Sequence, residues 1–392
     1  MPDRVALRGI REQRGLDAEA VEKHAKFAAG RLLEFEAGER EPTRLQMQKL
    51  ADIYGVPLYT LASHTTPMLA PLPTDFRKRE PAPASLSPAG VKTLLLSERI
   101  SIFTSQIAEE LGYRPVNLAP RVKQANSFKA RATELRRAFD AWLDKHRIEL
   151  GFSGPPEQRF MGALRLFFEV QGGIVNVNDA PSADYMGFFV EPLTGLPTIF
   201  VNRSISSKKA QLFTFAHEYA HALAGEDGIS NPFRARNSLE RSCNVFAAEF
   251  LAPMESFAEI VEGLGRAERS DTTSLVNAAS SRSLLSKHAA AIRLVEGDYI
   301  SRKDFQAWRS VFTSKPKAEK EEEKENTPSV AAGAPHAKRI GELGYLPVAL
   351  AKLAIDEKII DPFDVADGIG LSPKLQERAF KLATKRFEVA IS

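Results

Sequence analysis

Apolar residues recur every three or four positions through residues 4–64, and this spacing predicts a set of short helices. Glycines and prolines lie between the predicted helices, where they favour helix ends: Gly15, Gly30, Gly38, Pro42, Gly55 and Pro57. Residues 65–90 break the pattern because they are rich in proline, which cannot continue a helix or a central strand. This stretch is therefore predicted to be an extended linker.

Helical spacing returns after residue 91, and three short β-rich runs follow at 174–177, 186–190 and 198–201. The last two runs are predicted to form a hairpin through a turn at Gly195. If either run lies at the edge of the sheet, it could align a substrate chain by strand addition. The alternative is that both are ordinary internal strands.

The pattern changes again towards the end of the chain. Predicted helices continue from residue 206, but residues 314–336 are charged and nearly devoid of apolar side chains, which predicts a disordered linker. Residues 337–392 return to helical spacing as a small C-terminal extension. The chain is thus predicted to be α+β and mostly helical, with an N-terminal unit at 1–64, a linker at 65–90 and a main domain at 91–313.

Composition narrows the class of protein. The net charge of the 392 residues is only +3, which argues against a polybasic nucleic-acid binder. Cys243 is the only cysteine, so an intramolecular disulfide and an all-cysteine zinc site are excluded, and a reducing compartment is expected. The sequence has neither a long apolar run nor a signal-peptide pattern, so we expect a cytoplasmic protein with no membrane contact.

The sequence His217-Glu-Tyr-Ala-His221 carries the strongest chemical signal in the chain. On a helix, His217 and His221 lie one turn apart on the same face, so both imidazoles can reach one zinc ion. Glu218 lies about 100° further round the helix, where it can hold a water at the open position of the metal. Because the chain has only seven histidines, this spacing is unlikely to arise by chance.

A catalytic zinc ion needs a third protein ligand, and the predicted helix before Pro253 offers two carboxylates. Glu240 and Glu249 are nine residues apart and point to opposite helix faces, so only one can face the zinc, and we favour Glu240. Asn244, one turn from Glu240, either orients a ligand histidine or makes a helix–helix hydrogen bond. Cys243 is predicted to be a small core residue, since a cysteine nucleophile would need a histidine base.

These residues resemble the ImmA/IrrE-type metallopeptidases, which are gluzincin-like proteins. The resemblance rests on His217-Glu-Tyr-Ala-His221, on the run from Glu240 through Asn244 to Pro253, and on segments around 187–202 and 75–77. It implies a Zn²⁺ ion held by two histidines and Glu240, with Glu218 as the catalytic base for peptide hydrolysis. Tyr219 and Ala220 replace the more common Leu-Gly pair, a change that leaves the ligands in place.

Residues 4–64 resemble a helix-turn-helix domain of the Xre/Cro type, on the residues 35–42 and 50–57. The start of the expected recognition helix has Ala28, Ala29 and Gly30, which leaves Arg31 as the candidate DNA contact. Ten basic and ten acidic residues make residues 1–64 neutral, although DNA binding depends mainly on neutralising phosphates. Dimerisation or docking to a protein partner is therefore the alternative role.

Three hypotheses of function remain open. The first is a zinc metallopeptidase that cleaves a protein partner, and the resemblance suggests a repressor or an antitoxin in a regulatory, toxin–antitoxin or phage-defence setting. The second is an Xre-type DNA-binding regulator whose zinc domain acts as a sensor or a structural module. The third is a toxin-like component of a two-gene stress or phage-defence module that a partner holds inactive. The intact Glu218 favours the peptidase, because a structural zinc site needs no catalytic base.

Overall fold

The structure, a computed structural model, describes residues 4–61, 66–69, 72, 74–75, 82–83, 86–114, 127–226, 228–230, 238–314 and 334–392. The charged linker expected at 314–336 lies outside the described residues except at its ends. Much of the predicted proline-rich linker at 65–90 also lies outside the described residues. The described chain is mostly helical with one small sheet, which confirms the α+β class.

Five short helices form the N-terminal unit: α1 (Arg4–Gln13), α2 (Ala18–Ala25), α3 (Arg31–Ala37), α4 (Arg44–Tyr54) and α5 (Leu58–Leu61). Local side chains cap these helices. Thr43 and Gln46 form a capping box at the start of α4, and Gly38 and Gly55 end α3 and α4 in the left-handed conformation. The core of this unit is continuous with Val91, Leu94 and Phe188, so the N-terminal unit packs against the rest of the chain.

One sheet contains the strands β1 (Thr74–Asp75), β2 (Ala82–Pro83), β3 (Ile174–Asn178), β4 (Gly187–Val190), β5 (Thr198–Asn202) and β6 (Gly228–Ser230). Their order is β2-β1-β6-β4-β5-β3. β4 and β5 are antiparallel and joined through the loop that contains Gly195, as the sequence predicted. Both strands have neighbours on each side, so of the two alternatives the structure shows ordinary internal strands and no exposed edge at β4 or β5.

Long helices cover the sheet and build the main core. They are α6 (Pro88–Glu110), α7 (Ser127–Leu150), α8 (Pro156–Val170), α9 (Lys208–Ala224) and α10 (Ser238–Leu251). The helix α9 packs on β4 and β5, and α10 lies between α9 and α7. Aromatic rings fill this region, including Phe168 and Tyr219 with centroids 4.8 Å apart. Smaller helices complete this part of the chain: α11 (Met254–Glu262), α12 (Thr272–Arg282), α13 (Lys287–Glu296) and α14 (Arg302–Ser314).

The C-terminal extension is helical and closely packed against the main domain. It contains α15 (Pro335–Leu343), α16 (Tyr345–Asp356), α17 (Pro362–Ile369) and α18 (Pro373–Ile391). The buried carboxylate of Glu169 on α8 accepts hydrogen bonds from the backbone N–H groups of Tyr345 (2.6 Å) and Leu346 (3.1 Å), which caps α16 from another helix. Trp142 Nε1 donates to the carbonyl of Ala390 at 3.0 Å. The extension therefore shares a core with α6, α7 and α8.

Candidate metal centre

The helix α9 places the histidine motif inside the protein. Ser207 caps the helix by accepting a hydrogen bond from the N–H of Ala210 (3.3 Å), and Gly225 ends it with φ of +68°. One side of α9 packs on the sheet and the other on α10. As a result His217, Glu218 and His221 are all 0% exposed.

The helix α10 brings Glu240 to both histidines. The Nε2 atom of His221 lies 3.0 Å from Glu240 Oε1, and the Nε2 atom of His217 lies 3.3 Å from Glu240 Oε2. Glu240 is 1% exposed, so this carboxylate is withdrawn from bulk water. Two imidazoles from one helix and a carboxylate 19 residues after His221 thus converge on one buried point.

Asn244 decides which nitrogen of His217 faces Glu240. Its Oδ1 atom is an acceptor 2.9 Å from His217 Nδ1, so the Nδ1–H group donates and the lone pair of a neutral imidazole lies on Nε2. That lone pair is directed towards a carboxylate oxygen, and the buried Nε2 atom makes no hydrogen bond. A cation between these acceptors would satisfy them both, and the donor set of nitrogen and oxygen suits zinc and related divalent metals.

The electrostatics of the centre favour an ionised Glu240. Burial alone would raise its pKa, but the close contacts with His217 and His221 lower the pKa of Glu240 to about 2. Burial also lowers the pKa of His221, which keeps this imidazole neutral, although its contact with Glu240 opposes the shift. A neutral imidazole beside an ionised carboxylate is the protonation state in which both groups can bind a metal.

Cys243 belongs to the same cluster. Its sulfur and one nitrogen from each of His217 and His221 all lie within 4.8 Å of one another, and the three residues form a buried group that could hold a metal ion. Burial raises the pKa of the Cys243 thiol well above its usual range, and the charges of Glu240 and Glu218 raise it further. The sequence correctly predicted a buried Cys243 but missed its place beside the histidines, because its i+3 spacing from Glu240 was interpreted as packing.

Glu249 lies away from the histidines. Its carboxylate is 4% exposed and pairs with the guanidinium of Arg293, which is equally buried and also donates to the carbonyl of Ala252. Between the two candidates, only Glu240 contacts His217 and His221. The opposite-face argument from the sequence thus describes the observed helix α10 correctly.

The carboxylate of Glu218 lies between α9 and the sheet. A Cβ atom added to Gly187 at the start of β4 would lie 2.9 Å from Glu218 Oε1 and 2.5 Å from Thr214 Cγ2. Only glycine therefore allows the strand to approach the carboxylate this closely. The pattern of the sequence identified the β4 strand but gave no indication that its first residue contacts Glu218.

The roles of the two carboxylates on α10 can be separated by substitution. We expect Glu240→Ala to lower the metal content of the purified protein strongly, because it removes a contact shared by both histidines. Glu249→Ala should retain the metal but lower the free energy of unfolding by about 3–5 kcal/mol, because it leaves Arg293 buried without its carboxylate. Elemental analysis and urea unfolding would measure the two effects, and loss of metal in Glu249→Ala alone would reverse the assignment.

Arg31, the candidate DNA contact, is the first residue of α3 in the N-terminal unit. Its Nε atom is 3.1 Å from Glu34 Oε2, so the candidate DNA contact is engaged in an ion pair within its own helix. The buried carboxylate of Glu22 accepts hydrogen bonds from the N–H groups of Gly30 (2.9 Å) and Leu32 (2.7 Å). The N-terminus of α3 is therefore capped by a negative charge, which disfavours phosphate at that end of the helix.

The comparison with protein families locates a known domain around the buried cluster. Residues 171–294 match the Peptidase_M78 family, described as the IrrE N-terminal-like domain. This range extends from the start of the β3 region to α13, and it includes α9 and α10. The match supports a metallopeptidase-type domain of the ImmA/IrrE kind, as the histidine motif suggested. Among curated proteins, no match to the chain was found.

The helices give no sign of a membrane-spanning segment. Within the described ranges, none combines the length and the apolar character needed to cross a lipid bilayer.

Proposed function

We propose that the chain is a zinc-dependent metallopeptidase that hydrolyses a peptide bond in a protein partner. The observation that carries the proposal is the convergence of His217 Nε2, His221 Nε2 and the Glu240 carboxylate at one buried point, with Glu218 on the same turn of α9. Two histidines and one glutamate are the ligand set of gluzincin-type catalytic sites. The match of residues 171–294 to a peptidase family supports the same assignment.

Each residue has a defined role in this proposal. His217, His221 and Glu240 would hold the zinc ion, and Asn244 would fix the orientation of the His217 ring through the 2.9 Å hydrogen bond to Nδ1. When bound, zinc supplies Lewis-acid polarisation of the substrate carbonyl. Glu218 would accept a proton from the attacking water on its carboxylate and later deliver that proton to the leaving amine.

The substrate we propose is a protein partner such as a repressor or an antitoxin. The observation that supports a protein substrate is the family match at the metal centre, and the N-terminal helices offer a separate surface for docking. We further propose that α1–α5 form an Xre-type helix-turn-helix domain. The ion-paired Arg31 and the carboxylate cap at α3 favour protein docking over DNA reading, with the DNA-binding regulator as the alternative.

The proposal is tested with the full chain and its metal. We expect about one zinc ion per chain by elemental analysis, and new protein N-termini in cells that express the chain, identified by labelling of terminal amines. Cells that express His217→Ala should lack both the bound zinc and these N-termini, because one ligand is missing. An exposed-site variant, Lys303→Ala, serves as the matched control. The same new N-termini in the His217→Ala cells would refute the peptidase assignment.

A further inference from the structure

Cys243 occupies a position at the metal centre that the proposed mechanism does not use. It lies three residues after Glu240 on α10, so the thiol and the carboxylate project from the same face of the helix towards α9. The sulfur lies within 4.8 Å of a ring nitrogen of His217 and of His221. Its side chain is 0% exposed, so the sulfur is enclosed together with the histidines.

A second observation indicates that a ligand belongs at this point. The Nε2 atom of His217 is fully buried, makes no hydrogen bond and is aimed at Glu240 Oε2 across 3.3 Å. A buried acceptor without a donor is costly, and the hydrogen bond from Nδ1 to Asn244 prevents the ring from exchanging its two nitrogens. The centre is thus arranged for a positive ion beside His217, within reach of the sulfur.

The distances of the Cys243 sulfur from the two imidazoles are compatible with binding to one ion. Zinc bonds of about 2.3 Å to sulfur and about 2.0–2.1 Å to nitrogen place these atoms about 3.6 Å apart in a tetrahedron. The observed separations of at most 4.8 Å therefore need a movement of about 1 Å, within the range of a small χ1 adjustment of a cysteine. Glu240 contacts the same two imidazoles at 3.3 and 3.0 Å, so among the described residues these imidazoles have a carboxylate and a thiol as neighbours. Together they make four donor groups, the number in a closed zinc site.

We propose that Cys243 is the fourth protein ligand of the metal in the resting protein, so that the site is a closed His217–His221–Glu240–Cys243 tetrahedron. This inference rests on the proposed zinc site and adds a regulation to it. A catalytic zinc site keeps one position for water, whereas a four-ligand site is structural. The resting peptidase is therefore latent, and release of the Cys243 sulfur opens the position beside Glu218 that water needs.

Cobalt substitution tests this proposal without relying on activity. The full chain is freed of metal, loaded with Co²⁺ and compared with Cys243→Ala and Cys243→Ser by absorption spectroscopy. We expect the original protein to show a near-ultraviolet band from thiolate-to-cobalt charge transfer, and both variants to lack it while still binding one Co²⁺. Because Cys243 is the only cysteine in the chain, the band has a single possible source. The Glu218→Gln variant should keep the charge-transfer band, because the band depends on the groups that bind Co²⁺ and not on catalysis.

The possible results separate this inference from the peptidase assignment. A protein that binds Co²⁺ at the histidines but shows no thiolate band has a three-ligand site, and this overturns the role of Cys243 while leaving the proposed peptidase intact. A thiolate band in the original chain, together with no new N-termini in cells that express Cys243→Ala, supports the closed site and contradicts the peptidase. Failure of the chain to bind Co²⁺ at all would overturn both. If Cys243 closes the site, Cys243→Ala should cleave the partner at least as fast as the original protein, because the position for water is then open.

Discussion

Replacing Glu218 with glutamine is expected to slow peptide hydrolysis by about 100- to 10,000-fold while the zinc content stays unchanged. The amide keeps the size of the side chain but cannot accept the proton of the attacking water. The contacts among the proposed zinc ligands do not depend on Glu218, because Glu240 contacts both histidines through its own carboxylate. The rate should be measured on a purified partner protein whose cleavage has been located by sequencing its new N-terminus, with the metal quantified on the same sample.

Glu255→Gln is the matched control, because Glu255 is an exposed glutamate on the nearby helix α11 and should leave the rate unchanged. Glu218 is buried, so its substitution could also disturb folding. Thermal unfolding should therefore be measured for each variant. A Glu218→Gln protein that is folded, zinc-loaded and as active as the original would exclude Glu218 as the base. It would then favour a structural or sensory role for the metal centre.

Removing the C-terminal helices is expected to unfold the main domain. A chain that ends at Ser314 would expose the core that α15–α18 share with α6, α7 and α8. It would also leave the fully buried Glu169 without the N–H groups of Tyr345 and Leu346. Both losses affect α8, the helix that carries Glu169 and packs against α9. The candidate metal centre should therefore be lost together with the fold. Yield, circular dichroism and zinc content would measure the effect.

A point substitution gives the same test where the truncated chain is insoluble. Glu169→Ala should lower the free energy of unfolding by about 3–5 kcal/mol, because Arg165 is then left buried without the carboxylate that lies 3.1 Å from its Nε atom. Glu357→Ala, at an exposed position after α16, is the control and should stay within about 0.5 kcal/mol of the original protein. A stable, zinc-loaded chain ending at Ser314 would show that the extension is a dispensable appendage.

Local patterns in the sequence were sufficient for the helical part of the site. The spacing of His217 and His221, the serine before α9 and the glycine after it all act within a few residues, and the helix formed as they predict. The hairpin of β4 and β5 followed in the same way from two apolar runs around a glycine turn. The α+β class could therefore be predicted from spacing alone.

The contacts between elements were decided by the tertiary structure. The sequence placed Glu240 and Glu249 on opposite faces of one helix, but only the packing of α10 against α9 on one side and of Arg293 on the other shows which carboxylate meets the histidines. Cys243 was predicted to be packed in the core, and its distance from the imidazoles depends on how deeply α10 lies against α9. Spacing along a helix specifies a direction and no distance to another element.

The strand order and the packing of the C-terminal helices were also decided by contacts between distant parts of the chain. The runs that form β4 and β5 could have been edge strands, and only the pairing with β3 and β6 places them inside the sheet. Residues 337–392 have the spacing of an amphipathic extension, and the sequence does not show that Glu169 would cap α16 from 176 residues away. Short-range periodicity fixes which face of an element is apolar, whereas the partner of that face depends on contacts between residues far apart in the chain.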